Sequence, residues 1–124
     1  MKNNLLKKIL IIIFCFFTIK ANSSDDFNFD ITEVQILDGG NKFVGTKRGI
    51  INTSDGVSID ADQFEYDKKL NLLNARGNVK ILDKLNGFEI YSEKILYKKN
   101  ENIISTDGNS KAISLKDNVV IKAY

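Results

Sequence analysis

Apolar residues occupy alternate positions through the middle of the chain: Ile59 and Ala61, then Phe64 and Tyr66, then Leu73, Ala75, Val79 and Ile81. A period of two puts such side chains on one face of an extended strand. The stretch from 59 to 81 therefore predicts strand, turn, strand, turn, strand, with reversals at Asp67-Lys68-Lys69 and at Gly77-Asn78. Thirty-one residues on, the frame returns: Ile90 for Ile59, Ser92 for Ala61, Ile95 for Phe64, Tyr97 for Tyr66, Ile104 for Leu73 and Gly108-Asn109 for Gly77-Asn78. A third copy opens at Ile121-Lys122-Ala123. Upstream, Phe29, Ile31, Val34 and Ile36 fit at an offset of thirty, until glycine-rich sequence blurs the match. Recurrence of this length marks stacked supersecondary units, none of which buries its apolar face alone.

The phase within each unit slips by one. Val57, Ile59 and Ala61 are odd-numbered, Phe64 and Tyr66 even; such a slip turns side chains to the other face unless a bulge absorbs it. A bend is expected at Asp62-Gln63 and its counterpart at Glu93-Lys94, which would curve the sheet into a trough. Asp38-Gly39-Gly40-Asn41, Ser54-Asp55-Gly56 and Lys84-Leu85-Asn86-Gly87 supply further turns. Gly45 and Gly49 within a strand imply a bulge or a close backbone approach. No helical period follows residue 22, so the expected class is all-β.

The N-terminus is different. Lys2, Lys7 and Lys8 precede an apolar run from Ile9 to Ile19, and Ala21 precedes polar Asn22-Ser23-Ser24. Residues 1–21 read as a signal peptide in helical form. The competing reading, a retained membrane anchor at 5–19, has an uninterrupted apolar run well short of the roughly twenty residues a spanning helix needs. Residues 22–28 are expected to be a mobile leader and 29–124 the folded domain. Without residues 1–21, fourteen basic and sixteen acidic side chains remain. The basic excess thus belongs to the signal, and with it goes the electrostatic footprint of nucleic-acid binding. Cys15 is the only cysteine and lies in the signal, and the chain has no histidine. Disulfides, thiol chemistry, histidine acid–base catalysis and zinc or haem ligation therefore have no residues to use.

Asp60, Asp62, Glu65 and Asp67 form the densest acidic cluster. Their order departs from the EF-hand loop, where Phe64 would have to be a ligand, and the second unit has Tyr91 and Leu96 in place of Asp60 and Glu65. A solvated outer face that discourages edge pairing accounts for them better than calcium does. Asp60 and Asp62 offer a carboxylate pair in the manner of a glycoside hydrolase, but nothing differentiates their environments. The expectation is a protein that is not an enzyme and uses no cofactor.

The unit Ile59-x-Ala61-Asp62-x-Phe64-x-Tyr66, followed by Leu73-x-Ala75-x-Gly77-Asn78-Val79-x-Ile81, resembles the OstA-like family of lipopolysaccharide-transport domains, across almost all of the chain after residue 28. The family includes the periplasmic bridge protein LptA, the anchored LptC and the N-terminal domain of the outer-membrane assembly protein LptD. The resemblance implies a curved antiparallel β-jelly roll of repeated hairpins. It further implies a periplasmic location associated with the outer membrane, an apolar interior that shelters lipopolysaccharide acyl chains, and homologous domains joined by edge-strand pairing. On that basis Ile59, Ala61, Phe64, Tyr66, Leu73, Val79, Ile81, Ile90, Ile95, Tyr97 and Ile104 would line the lipid-binding interior. A chain ending as a fresh unit begins resembles a truncated N-terminal domain of the assembly protein more than a complete bridge. The alternative from a different class is a structural or adhesive β-repeat protein whose same apolar face is simply core.

Overall fold

A computed structural model describes residues 27–124. The signal helix expected at 1–21 and most of the leader expected at 22–28 lie outside these residues. The strands are β1 (Phe27–Ile31), β2 (Val34–Leu37), β3 (Lys42–Gly45), β4 (Gly49–Thr53), β5 (Val57–Ala61), β6 (Gln63–Asp67), β7 (Leu72–Asp83), β8 (Phe88–Lys98), β9 (Ile103–Asp107), β10 (Ser110–Ser114) and β11 (Val120–Ala123). Phe27 and Asn28 thus belong to a strand rather than to a leader. All eleven strands join one open sheet in which every pairing is antiparallel. The only helical turns among the described residues are short 3-10 segments at Asp38–Gly40 and Lys99–Glu101.

The register shows why the strands come in halves. One side of β7 carries β6 beside Leu72 to Arg76 and β5 beside Lys80 to Asp83, while β8 runs along the whole of its other side. β5 and β6 are therefore two parts of one strand bent at Asp62. β3 with β4 and β1 with β2 repeat that form further out, and β9 with β10 does so beyond β8. Because the bends lie at one level, the sheet creases into two leaves. The first holds β1, β4, β5, the end of β7, the start of β8, β10 and β11; the second holds β2, β3, β6, the start of β7, the end of β8 and β9.

Gly77-Asn78 does not reverse the chain, contrary to the sequence-based expectation of a turn. β7 passes straight through it, with a register shift between Arg76 and Val79. Gly77 and Asn78 have φ of 79° and 46°, so this pair is a left-handed bulge inside a continuous strand. The strands on both sides hold β7 through it, and the Gly77 carbonyl accepts the Asp62 amide at 3.0 Å. A side chain at Gly77 has no room, since its Cβ would fall 2.6 Å from Asp62 Oδ2. The slip in apolar phase at Asp62 and again between Ser92 and Ile95 is the neighbouring strands' response to that extra residue.

The close approach expected at the strand glycines is present. A Cβ on Gly49 would meet Ile31 Cγ1 at 2.6 Å, and one on Gly45 would meet Ile31 side-chain carbons at 3.3 Å. Ile31 fills the inner-face space that Ala75 and Val79 fill in the next unit. The first unit keeps the pairing frame but not the bulge: β3 and β4 are separate strands, and no residue between Gly45 and Gly49 has positive φ.

Turns stack in the same rhythm. Along one rim the carbonyls of Asn41 and Asn71 accept the amides of Lys68 and Lys99 at 2.8 and 3.1 Å. Along the other, those of Gly56 and Gly87 accept Lys84 and Leu115 at 3.4 and 2.8 Å. Gly40, Asn71 and Asn102 share positive φ at thirty-one-residue spacing, as do Gly56, Gly87 and Asn118. Asn tolerates the left-handed region better than most side chains, which explains how a chain without proline punctuates its hairpins.

Candidate functional site

The inner face is built from cross-strand rows. In the first leaf the register places Phe29, Ile51, Ile59, Ile81, Ile90, Ala112 and Ile121 side by side across seven strands. In the second it aligns Ile36, Phe43, Tyr66, Leu73, Tyr97 and Ile104, with Phe64, Ala75 and Ile95 one step nearer the crease. All eleven residues expected to line the interior lie on this face. Ile59, Ala61, Leu73 and Ile81 are fully buried, Phe64, Tyr66, Val79, Ile95 and Tyr97 are at most 7% exposed, and Ile90 and Ile104 are partly buried at the margin.

The sheet bends as the phase slips imply, and the centre between its leaves is filled. Phe27, 3% exposed, packs its ring edge-on to Tyr66 at 4.8 Å and to Tyr97 at 5.8 Å between centroids. Phe29 stacks on Phe43 at 5.7 Å and lies 5.6 Å from Tyr66. β1 thereby lays an aromatic cover from the first leaf over the second. Alternation puts Phe29 in the inward frame with Ile59 and the expected leader took in Phe27; neither reading shows that β1 reaches across to Tyr66 and Tyr97.

Cover is missing at the opposite margin. Ile121 on the inner face of β11 and Val119 just before that strand are 63% and 52% exposed, and Phe88 on β8 is 41% exposed. With Ala112, Ser114 and Asp117 they line a cavity of about 230 Å³. A second cavity of about 240 Å³ opens between the leaves, walled by Val57, Asp83 and Leu85 on one side and by Tyr97, Asn102 and Ile104 on the other. Asp83 in the second cavity is the register partner of Phe88 in the first. Ile104 lines the second cavity, and Ile90 is the register partner of Ala112 in the first.

A polar latch crosses that opening. Lys99, at the β8–β9 turn, reaches Asp55, at the β4–β5 turn, with Nζ 2.6 Å from Oδ2 and its own side chain only 9% exposed. The Thr53 hydroxyl donates to the other Asp55 oxygen and the Lys99 ammonium lies 5.8 Å from the Tyr97 ring centre. The Lys99 and Thr53 hydrogen bonds hold the Asp55 carboxyl below its ordinary pKa. Burial would lower the Lys99 pKa, but Asp55 and Tyr97 outweigh it and the ammonium is held above its ordinary value. Burial pushes the Tyr97 phenol up, so the ring stays neutral and apolar.

The acidic cluster is engaged at the crease. Arg48 binds Asp62 Oδ1 at 2.7 Å through Nη1, Asp60 Oδ1 at 3.1 Å through Nε, and the Asn78 carbonyl at 3.3 Å through Nη2; Asn78 Nδ2 donates to Asp62 Oδ2 at 3.0 Å. Asp67 accepts from the Leu70 amide and Asn41, and Glu65 lies 3.9 Å from Lys42. The carboxylates that suggested calcium or glycoside chemistry thus brace the bend and a turn. The sequence signal for this was Arg48 beside Gly49, which alternation alone did not single out.

Compared with protein-family models and with curated proteins, the chain matches none. No helix among the described residues is long and apolar enough to cross a membrane.

Proposed function

We propose that the chain is a non-catalytic, lipid-binding conduit module of the OstA-like type, a bent jelly roll that passes acyl chains along its apolar face in the periplasm. The observation that carries this reading is the row Ile51, Ile59, Ile81, Ile90, Ala112, Ile121, buried at one end and uncovered at the other. Exposed apolar surface contiguous with a core favours an apolar guest or a partner. Each methylene that leaves water for such a surface gains about 0.8 kcal/mol, while headgroups stay outside between the polar turns. Lipopolysaccharide acyl chains are the guest the family resemblance implies. Homologous β-jelly-roll domains would meet the chain by strand addition at β11 and β9, whose outer edges carry no pairing among the described residues. A location at or near the outer membrane follows from the same resemblance. No cofactor, catalytic group or nucleic acid enters this reading.

The filled centre favours a second reading, a structural or adhesive β-repeat whose apolar face is only core. A photoreactive residue placed at Phe88 or at Ile104 separates the two. Capture of lipid at these positions, with none at the outer-face position Ile50, supports the conduit. Equal labelling at all three, or none, supports the structural protein.

A further inference from the structure

The outer face of the first leaf carries a charge gradient. Register places Asp30, Ile50, Asp60, Lys80, Tyr91, Lys111 and Lys122 in one row, acidic towards β1 and basic towards β11. At its basic end is a cleft of about 530 Å³, with Arg48 and Glu93 towards the crease. Arg48 is occupied by Asp60 and Asp62. Lys80 lies 5.7 Å from the Tyr91 ring centre and 3.8 Å from Glu89, which also accepts from the Tyr91 hydroxyl at 2.9 Å. Lys111 and Lys122 differ: they are exposed, directly opposite one another, and neither makes an ion pair among the described residues. Like charges directly opposite on a sheet are destabilising, and cross-strand Cβ atoms sit only about 5 Å apart, a spacing one multi-oxygen anion can bridge. Glu93 on the cleft wall disfavours a bulky polyanion over a compact one.

We propose that this cleft binds a phosphate monoester, its dianion held between the Lys111 and Lys122 ammonium groups with the Tyr91 ring beside it. The group arrives on a soluble molecule or on a lipid headgroup; the chemistry is the same. The site lies on the face opposite the apolar interior, so it stands or falls apart from the conduit reading. In the test the full chain is titrated calorimetrically with inorganic phosphate and, separately, sedimented with phosphatidylcholine vesicles that contain or lack phosphatidic acid. Saturable binding in the first arm identifies a soluble ligand, and binding only to the phosphatidic acid vesicles identifies a headgroup. Either one must weaken at least about tenfold in Lys111→Gln/Lys122→Gln, as loss of charge-assisted hydrogen bonds requires, and stay unchanged in the exposed control Lys84→Gln/Lys116→Gln. Absence of binding in both arms, or the same loss in the control pair, overturns the proposal.

Discussion

Replacing Phe27 by alanine tests the claim that β1 closes the interior. The ring is nearly fully buried against Tyr66 and Tyr97, so its deletion removes apolar burial, two edge-on aromatic contacts and the volume between the leaves. Deletions of buried phenylalanine cost about 3–5 kcal/mol; β1 is a margin strand that can sag into the gap, which places this one near 3 kcal/mol. Each aromatic pair supplies about 0.5–1.5 kcal/mol of that beyond area, so Phe27→Leu, which keeps most of the volume but loses both pairs, should lose about 1–3 kcal/mol and less than the alanine variant. Urea unfolding followed by tyrosine fluorescence gives both values, provided the slope with denaturant is unchanged. The partly exposed Phe88→Ala is the comparison and should cost about 1 kcal/mol or less. A loss at Phe27 no larger than at Phe88 would refute the aromatic cover. On the conduit reading, Phe27→Ala also enlarges the space beside Tyr66 and Tyr97, and uptake of a fluorescent fatty acid should rise.

Gly77→Ala should destabilise by more than about 1 kcal/mol, because it meets both positive φ and the Asp62 carboxylate; chemical denaturation checks it, and Gly108→Ala, with open space around it, should cost less. Asp55 is held below its ordinary pKa, so its contribution is complete above about pH 3.9 and is lost as pH falls through the folded value. Asp55→Asn should therefore flatten the acid limb of a thermal-stability profile, by under about 1 kcal/mol for this part-exposed group. Lys99 works in the opposite direction: its contribution is present below about pH 10.4 and fades as pH rises through its raised folded pKa, a loss that Lys99→Gln abolishes in the same profile. Ile121→Asp should leave the unfolding free energy within about 0.5 kcal/mol of wild type while removing fatty-acid uptake, since the side chain is 63% exposed at the uncovered margin.

The strands, the thirty-one-residue frame and the bend at Asp62 were legible because they rest on alternation, a local signal that repeats. Gly77-Asn78 was misread for a physical reason. Two left-handed residues in sequence make a hairpin when free and a bulge when strands flank both sides, and only tertiary pairing distinguishes them. The inward row of the candidate site was equally legible, from Ile59 to Ile104. What closes it was not: Phe27 and Phe29 alternate like any strand, and their contact with Tyr66 depends on how far the sheet curls. Nor did alternation show that Lys111 and Lys122 would stand opposite each other, since they lie on strands paired through register rather than proximity of pattern.

The shared level of the bends has a mechanical consequence. A strip folded along one line resists opening at every point of that line together, so relaxing a single corner, whether by Arg48→Ala or by Asn78→Ala, leaves its neighbours holding the angle. Lengthening the strip by another hairpin at β11 extends the gutter without altering its profile. Span and aperture are therefore separately adjustable, the first by counting hairpins and the second by the bulk of the side chains packed along the fold line.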